Sequence, residues 1–215
     1  MKIRAIILDF DGVVIESNRI KHEAFSEIFS EYPEHYERMM AYHLARNHVD
    51  RHKKFKYFIT EVLGQPFDQA LADKLAQRFA KLTREKIINS SYVEGALDLI
   101  REFAAQIPLY IASATPLDEL MIILEARQLT PYFKGIYGAP KPKQEMFALI
   151  MQQEGIGPKD LLFIGDSPED HEVAKSSGIN FVGRVSDTKF NDPSVKSFKD
   201  VSEIKAYLSK ECVLA

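Results

Sequence analysis

Carboxylates at the ends of apolar segments are the residues of this sequence best suited to chemistry. Asp9 and Asp11 follow the apolar run 3–8, and Asp166 and Asp170 follow a second short apolar run. Charged pairs beside buried segments cost free energy unless something compensates them. Open α/β sheets bind ligands at the carboxyl ends of their strands, which is where these pairs would stand. The alternative interpretation is that the carboxylates only cap the turns or helices that follow.

Two further segments carry groups that suit an anion. Ser113 begins a Ser-Ala-Thr-Pro segment directly after the apolar run 107–112, and a small hydroxyl before a helix N-terminus can help to hold an anion. Lys141 follows a weaker apolar run at 135–138. Taken singly, these features predict a plain helix N-cap and a surface lysine in a loop.

The elements that must position these groups alternate along most of the chain. Continuously apolar runs predict strands that are covered on both faces, and segments with apolar residues at helical spacing lie between them. This alternation predicts an α/β fold with a Rossmann-like, doubly wound parallel sheet. The predicted strands are 3–8, 107–112, 135–138, 161–164 and 179–182, and a last helix is predicted at 201–209.

The stretch from Ser17 to about Tyr92 interrupts the alternation. It contains several amphipathic helical patterns and no convincing strand, and Pro33 and a Gly-Gln-Pro turn at 64–66 punctuate it. We therefore predict an all-helical domain at 17–92, inserted into a core formed by 1–16 and 93–215.

Composition excludes several classes of function. The 215 residues carry a formal net charge of −3, which argues against a dedicated nucleic-acid binder. Cys212 is the single cysteine, so no intramolecular disulfide is expected and a cytoplasmic location is the default. The N-terminal apolar run is too short for a signal peptide, and no apolar stretch approaches the ~18 residues of a membrane span.

The ordered set of motifs resembles the haloacid dehalogenase superfamily of phosphohydrolases, in its phosphoglycolate phosphatase and β-phosphoglucomutase-like branch. The resemblance covers nearly the whole chain. It implies a Mg²⁺-dependent phosphatase that hydrolyses a small phosphorylated metabolite, such as a sugar phosphate or phosphoglycolate, through an aspartyl-phosphate. It also implies that the helical insertion is a cap that selects the substrate. We expect a monomer or a homodimer.

Transferred to this sequence, the resemblance implies that Asp9 attacks phosphorus and that Asp11 acts as general acid and base. Ser113 would bind the transferring phosphoryl group, and Lys141 would neutralise charge on Asp9 and the phosphate. The implied metal residues are Asp9, Asp11 through its backbone carbonyl, Asp166, and Asp170 through water or by orienting its neighbours. Substrate-binding positions of the core would be Gly12, Ala114 and Thr115.

The insertion contains a strongly basic segment at 43–56. Arg51 and Lys54 are the preferred substrate contacts, because they lie at helical spacing and related caps show a similar pair. His22 is a further candidate, since family members often place a histidine near the substrate on that helix. The alternative for the segment is a solvated loop and helix face, and for His22 an ordinary surface histidine.

Asp11 distinguishes phosphoryl transfer from dehalogenation, because the dehalogenase branch lacks that residue type there. A phosphomutase, which returns the phosphoryl group to its product, is the closest rival to a phosphatase. A non-catalytic regulator with a phosphorylated aspartate is disfavoured by Asp11 and by the large insertion.

Overall fold

The computed structural model describes residues 2–46, 49–186 and 189–214. The chain divides into two compact units, Met1–Glu16 with Ser90–Ala215 and Ser17–Asn89. The second boundary lies three residues before the one expected from the sequence. Tyr92 forms an antiparallel bridge with Ile15, and the Ser91 carbonyl accepts the Glu16 N–H, so this short segment joins the larger unit.

The smaller unit is helical, as its apolar patterns predict. Its helices are α1 (Asn18–Phe29), α2 (Tyr36–Ala45), α3 (Arg51–Tyr57) and α4 (Gln69–Ile88), with a π-helical turn at Phe58–Val62 and a 3₁₀ turn at Pro33–His35. The side chains of Asp50 and Asp68 cap α3 and α4 by accepting backbone N–H groups of the first turn. An aromatic core that includes Phe25, Phe55 and Phe79 holds the helices together.

The larger unit is built on parallel strands. Its strands are β1 (Lys2–Ile3), β2 (Ala5–Leu8), β3 (Leu109–Pro116), β4 (Gly135–Ala139), β5 (Leu161–Gly165), β6 (Asn180–Arg184), β7 (Ser197–Phe198) and β8 (Val213–Leu214). Within the described residues, six of them form one parallel sheet in the order β4-β3-β2-β5-β6-β7, and β1 pairs with β8. Its helices are α5 (Ala96–Phe103), α6 (Leu117–Ala126), α7 (Lys143–Glu154), α8 (Pro168–Ser176) and α9 (Val201–Glu211).

The central strand, β2, explains why the sheet is so apolar. All four of its residues are buried, and Ile7 lies in register with Tyr110 on one side and Phe163 on the other. Strands covered on both faces cannot alternate polar and apolar side chains. The predicted α/β fold with a Rossmann-like parallel sheet is therefore confirmed.

Strand β3 continues beyond the predicted end at Ala112, and this places Ser113 and Thr115 inside the strand rather than in a helix cap. Its pairing with β4 becomes irregular between Ala112 and Pro116. Residues two apart in a strand face the same side, so the two hydroxyls share one face. The sequence also missed β7, a two-residue strand in a polar segment. In the parts of the chain that the structure describes, every helix is too short or too polar to cross a bilayer.

A close contact at the end of β5 fixes the start of α8. A Cβ added to Gly165 would lie 2.6 Å from the Cβ of Asp170 and 2.8 Å from its Cγ. We expect Gly165→Ala to lower the free energy of unfolding by about 1–3 kcal/mol, because overpacking forces the backbone to shift.

The matched control is Gly157→Ala, since a Cβ there would find its nearest neighbour at 3.9 Å. It should change the free energy of unfolding by less than about 0.5 kcal/mol. Urea denaturation followed by circular dichroism measures both variants. Equal losses in the two would show that the contact at Gly165 is not tight.

Candidate active site

Asp9 directly follows β2 at the carboxyl edge of the sheet. Its backbone N–H donates to the Ile164 carbonyl at 2.9 Å, which continues the ladder between β2 and β5. The side chain is 7% exposed. Its Oδ1 accepts the Phe10 N–H at 2.6 Å, and its Oδ2 accepts from Lys143 Nζ at 2.8 Å. A buried carboxylate is thus held at a strand end with an ammonium beside it.

Lys143, and not Lys141, is the lysine that reaches Asp9. Its Nζ lies 2.8 Å from Asp9 Oδ2 and 2.5 Å from Asp170 Oδ1. Lys141 precedes α7, is partly exposed, and comes no closer to an acid than 4.0 Å, from Glu145. The prediction for Lys141 is therefore wrong, because α7 begins at Lys143 and it is this first helical residue whose side chain reaches the carboxylates.

The loop after β5 holds Asp170 through a capping box. Ser167 Oγ accepts the Asp170 N–H at 3.1 Å, and Asp170 Oδ2 accepts the N–H groups of Asp166 and Ser167, each at 3.3 Å. Since Lys143 occupies its Oδ1, both oxygens of Asp170 are engaged. The predicted cap and the predicted functional carboxylate are one and the same residue.

Asp166 stands beside these groups and is oriented by a residue that sequence reasoning missed. Ser186 Oγ donates to Asp166 Oδ2 at 2.7 Å. Side-chain oxygens of Asp9, Asp166 and Asp170 lie within 4.8 Å of one another, and all three residues are buried. Clustered carboxylate oxygens are the donor set that a hard divalent cation prefers.

Asp11 lies two residues beyond Asp9 and is held by different partners. Thr115 Oγ1 donates to Asp11 Oδ2 at 2.8 Å, and Ser113 Oγ approaches the same oxygen at 3.4 Å. Ser113 Oγ also accepts the Thr115 N–H at 3.1 Å. The unusual length of β3 thus brings two hydroxyls to one carboxylate oxygen. Asp11 and Asp9 sit in chemically distinct surroundings.

Gly12 and Ala114 complete the predicted positions of the core. Gly12 has φ +73°, a conformation that side chains rarely adopt, and its carbonyl accepts from Arg184 Nη1 at 3.2 Å. Arg184 also donates to both oxygens of Glu16, at 2.7 and 3.3 Å. Ala114 lies between the two hydroxyl residues of β3. Arg184 therefore ties the segment after Asp9 to β6.

The electrostatics of the cluster are unfavourable without a cation. Burial raises the pKa of Asp9 to about 8; Lys143 opposes this rise, while Asp170, Asp166 and Asp11 add to it. Burial lowers the pKa of Lys143, but Asp170 and Asp9 outweigh it and the net shift is upward. A divalent cation among these oxygens would favour the ionised form of Asp9, so the residues present fit such an ion.

In the helical unit, the three predicted contacts are brought near one pair of aromatic rings. The Arg51 guanidinium lies 5.4 Å from the Phe79 ring centre, and Lys54 Nζ lies 5.0 Å from that of Phe25. His22 stacks on His43, which packs against Phe25. Lys54 is only 2% exposed, so the alternative of a solvated face is wrong for this residue. It does hold for Lys53, whose side chain is 74% exposed.

Some of the missed residues left a signal in the sequence. A lysine at the first position of a helix opposes the helix dipole, so Lys143 implies a compensating acid nearby. Arg184 ends an apolar run, which is where strand-end groups of the site are found. Ser186 and His43 are ordinary polar residues in polar surroundings, and their roles depend on contacts that no local pattern encodes.

The raised pKa of Asp9 predicts how pH affects the metal-free chain. An acid whose pKa is higher in the folded state contributes stability below its unfolded pKa, and that stability is lost as pH rises towards 8. Asp9→Asn removes this titration. We expect its stability advantage over the wild type to grow between pH 5 and 8, at a limiting slope of about 1.4 kcal/mol per pH unit.

Urea denaturation in EDTA at several pH values measures this difference. Asp118→Asn, which alters an exposed carboxylate of α6, should leave the profile parallel to the wild type. A parallel profile for Asp9→Asn as well would contradict the raised pKa.

Comparison with known proteins agrees with this arrangement. Residues 6–184 match the haloacid dehalogenase-like hydrolase family. The chain is 32% identical to phosphoglycolate phosphatase of Escherichia coli K12 over 85 residues, which are 37% of this chain and 34% of that protein. This match thus spans about a third of the length of the E. coli protein.

A longer match is to the phosphorylated carbohydrates phosphatase of Thermotoga maritima, 24% identical over 196 residues and 82% of each chain. Among solved structures, a predicted phosphoglycolate phosphatase from Haemophilus somnus superimposes with a TM-score of 0.74 at 18% identity, over 96% of this chain and 98% of that one. The family match extends from the first strand of the sheet to Arg184. This chain belongs to the haloacid dehalogenase-like hydrolase family.

Proposed function

We propose that this protein is a Mg²⁺-dependent phosphatase that hydrolyses a small phosphorylated metabolite through an aspartyl-phosphate on Asp9. The observation that carries the proposal is the contact of Lys143 with both Asp9 and Asp170, at the edge of the sheet where Asp166 also lies. This arrangement offers a buried carboxylate nucleophile next to positive charge, which is what attack on a phosphate ester requires.

In the first step, an oxygen of Asp9 attacks phosphorus and the bond to the ester oxygen breaks. Lys143 stabilises the ionised form of Asp9 and offsets charge on the phosphoryl group. Asp11 gives its proton to the departing oxygen. Its hydrogen bonds from Thr115 and Ser113 support this role, because they hold the carboxyl group apart from the Lys143 contact of Asp9.

In the second step, Asp11 accepts a proton from water, and the water oxygen attacks the aspartyl-phosphate. Inorganic phosphate leaves and Asp9 is regenerated as a carboxylate. Two carboxyl groups in different surroundings thus perform two roles, one nucleophilic and one in proton transfer.

Asp9 and Asp166 would hold the Mg²⁺ ion with side-chain oxygens, and the Asp11 carbonyl is a further candidate ligand. When bound, the ion supplies positive charge that allows an anionic nucleophile to approach an anionic phosphate. Both oxygens of Asp170 are already engaged, which favours an orienting role for this residue, through its contacts with Lys143 and the Asp166 N–H. Ser186 keeps one oxygen of Asp166 fixed.

We further propose that the helical unit selects the substrate. Its support is the grouping of Arg51, Lys54 and His22 near Phe25 and Phe79, which would favour an anionic metabolite. A sugar phosphate or phosphoglycolate fits this description, in line with the names of the relatives.

The test is hydrolysis of para-nitrophenyl phosphate by the purified chain. We expect phosphate release that requires Mg²⁺, is abolished by EDTA, and falls by at least about 10³-fold in Asp9→Asn. Acid quenching during turnover should trap phosphate on a peptide containing Asp9.

Activity retained in Asp9→Asn would exclude the proposed mechanism. Transfer of the phosphoryl group only in the presence of an added bisphosphate would identify a mutase instead. A screen of phosphorylated metabolites under the same conditions would then identify the substrate.

The two lysines beside Pro142 provide a matched pair of variants. Lys143→Met removes the ammonium that contacts Asp9, and we expect kcat/KM to fall by about 10²–10³-fold. Lys141→Met removes a partly exposed charge two residues away and should change kcat/KM by less than about threefold. Circular dichroism establishes that both variants are folded. An equal effect of the two substitutions would contradict the role given to Lys143.

A further inference from the structure

The helical unit carries a group of basic side chains that the phosphoryl chemistry does not use. We call His22, His43, Arg51 and Lys54 the basic cluster. It stands in a protein with a formal net charge of −3. His43 and Lys54 are each only 2% exposed. Buried cationic groups cost free energy unless an anion or a strong acceptor compensates them.

Aromatic rings of the helical unit gather the basic cluster into one place. Phe25 and Phe79 pack with ring centres 4.5 Å apart, and Arg51 lies over Phe79 while Lys54 lies over Phe25. His43 lies 4.4 Å from Phe25, between ring centres, and His22 stacks on His43 at 5.5 Å. Four basic residues from three helices therefore surround one aromatic pair.

The contact between Lys54 and His43 decides which atom of the imidazole can bind a ligand. Lys54 Nζ lies 2.9 Å from His43 Nδ1. An ammonium only donates, so a protonated Lys54 makes Nδ1 the acceptor and leaves the ring proton on Nε2. Within the described residues, His43 Nε2 is buried without a hydrogen-bond partner, and so is His22 Nδ1. A buried N–H donor without an acceptor is costly and marks a place for one.

Charged neighbours do not remove this imbalance. Lys21 and His22 of α1 both add positive charge near His43. Asp50 at the start of α3 opposes it, but its carboxylate already accepts the Lys53 N–H at 3.1 Å and lies 3.4 Å from the Lys53 ammonium. From α4, the contact is the uncharged ring of Phe79. A metal ion is a poor occupant beside an ammonium, whereas an oxyanion is a good one.

We propose that the basic cluster is an oxyanion-binding site, in which Lys54 orients His43 so that Nε2–H donates to a carboxylate or phosphate-type group. The site lies wholly within the helical unit and is independent of the phosphoryl chemistry proposed for the larger unit. His43 and Lys54 form its buried centre. Arg51 and His22 supply further donors.

Protonation links the site to pH near neutrality. Burial lowers the pKa of Lys54 to about 7, with Lys21 adding to the shift and Asp50 opposing it. Burial lowers that of His43 to about 3, helped by Lys54, His22 and Lys21, so the imidazole stays neutral at physiological pH. A bound anion favours the ammonium and raises the pKa of Lys54. Affinity is therefore greatest below pH 7 and declines as pH rises above it.

The experiment is an NMR titration of the metal-free wild-type chain, with signals from the lysine ε-carbons and the histidine rings. Sulfate, whose charge is constant over this range, represents a phosphate group, and acetate represents a carboxylate. We expect either anion to shift the His43 signals and to raise the pKa of Lys54 by about one unit or more, with chloride as the ionic-strength control. Sulfate should bind at least about tenfold more tightly at pH 6 than at pH 8.5.

Two variants from the same helix distinguish a built site from general attraction by charge. Lys54→Met fills a similar volume with an apolar side chain and should weaken sulfate binding at least about tenfold. Lys56→Met removes an exposed lysine of α3 and should leave binding within about twofold. His43→Gln should abolish the pH dependence, since Lys54 then has no ring to orient.

Equal binding by the Lys54 and Lys56 variants would overturn the proposal, and so would a pKa of Lys54 that neither anion changes. Should Lys54→Met fail to fold, the response of Lys54 and His43 in the wild type still decides the question. A response to one anion only would identify the group that the site accepts. Because no turnover is measured, failure here leaves the proposed phosphatase function intact, and the reverse is also true.

Discussion

A single ammonium, that of Lys143, is shared between Asp9 and Asp170, and the charge balance of the larger unit depends on it. Four carboxyl groups act on one another within this region, and burial makes each negative charge more costly. The sheet brings them together because parallel strands end at one edge. The lysine cannot offset them all. The arrangement is therefore tuned to receive further positive charge, which explains why residues that weaken the metal-free fold are suited to reaction with phosphate.

Much of this unit could be predicted from the sequence, because its strands are continuously apolar and their polar residues stand at the ends. Asp9, Asp11, Asp166 and Asp170 were identified in that way. Lys143 was not, since Lys141 and Lys143 flank the same proline and only the starting point of α7 decides which side chain reaches the acids. Strand β3 was predicted too short, because Ser113 and Thr115 have the composition of a helix cap and become strand residues through pairing with β4.

The helical unit follows different rules. Its helices could be predicted from apolar spacing, but the position of each basic residue around them could not. Lys53 and Lys54 are neighbours in sequence, yet one is exposed and the other is buried against Phe25 and His43. A difference of one helical step decides whether a lysine only contributes to solubility or becomes a chemical group with altered acidity. His43 could not be singled out, since its contact with Lys54 joins two helices.

Asp170 joins two tasks that are usually separate. One of its oxygens contacts Lys143, and the other closes the capping box at the start of α8 against Gly165. A substitution at this position would alter helix initiation and the electrostatics of the site together. Random drift could not improve one property without testing the other. The residue therefore makes folding a form of quality control, because a chain in which α8 has not started also lacks a correctly held lysine.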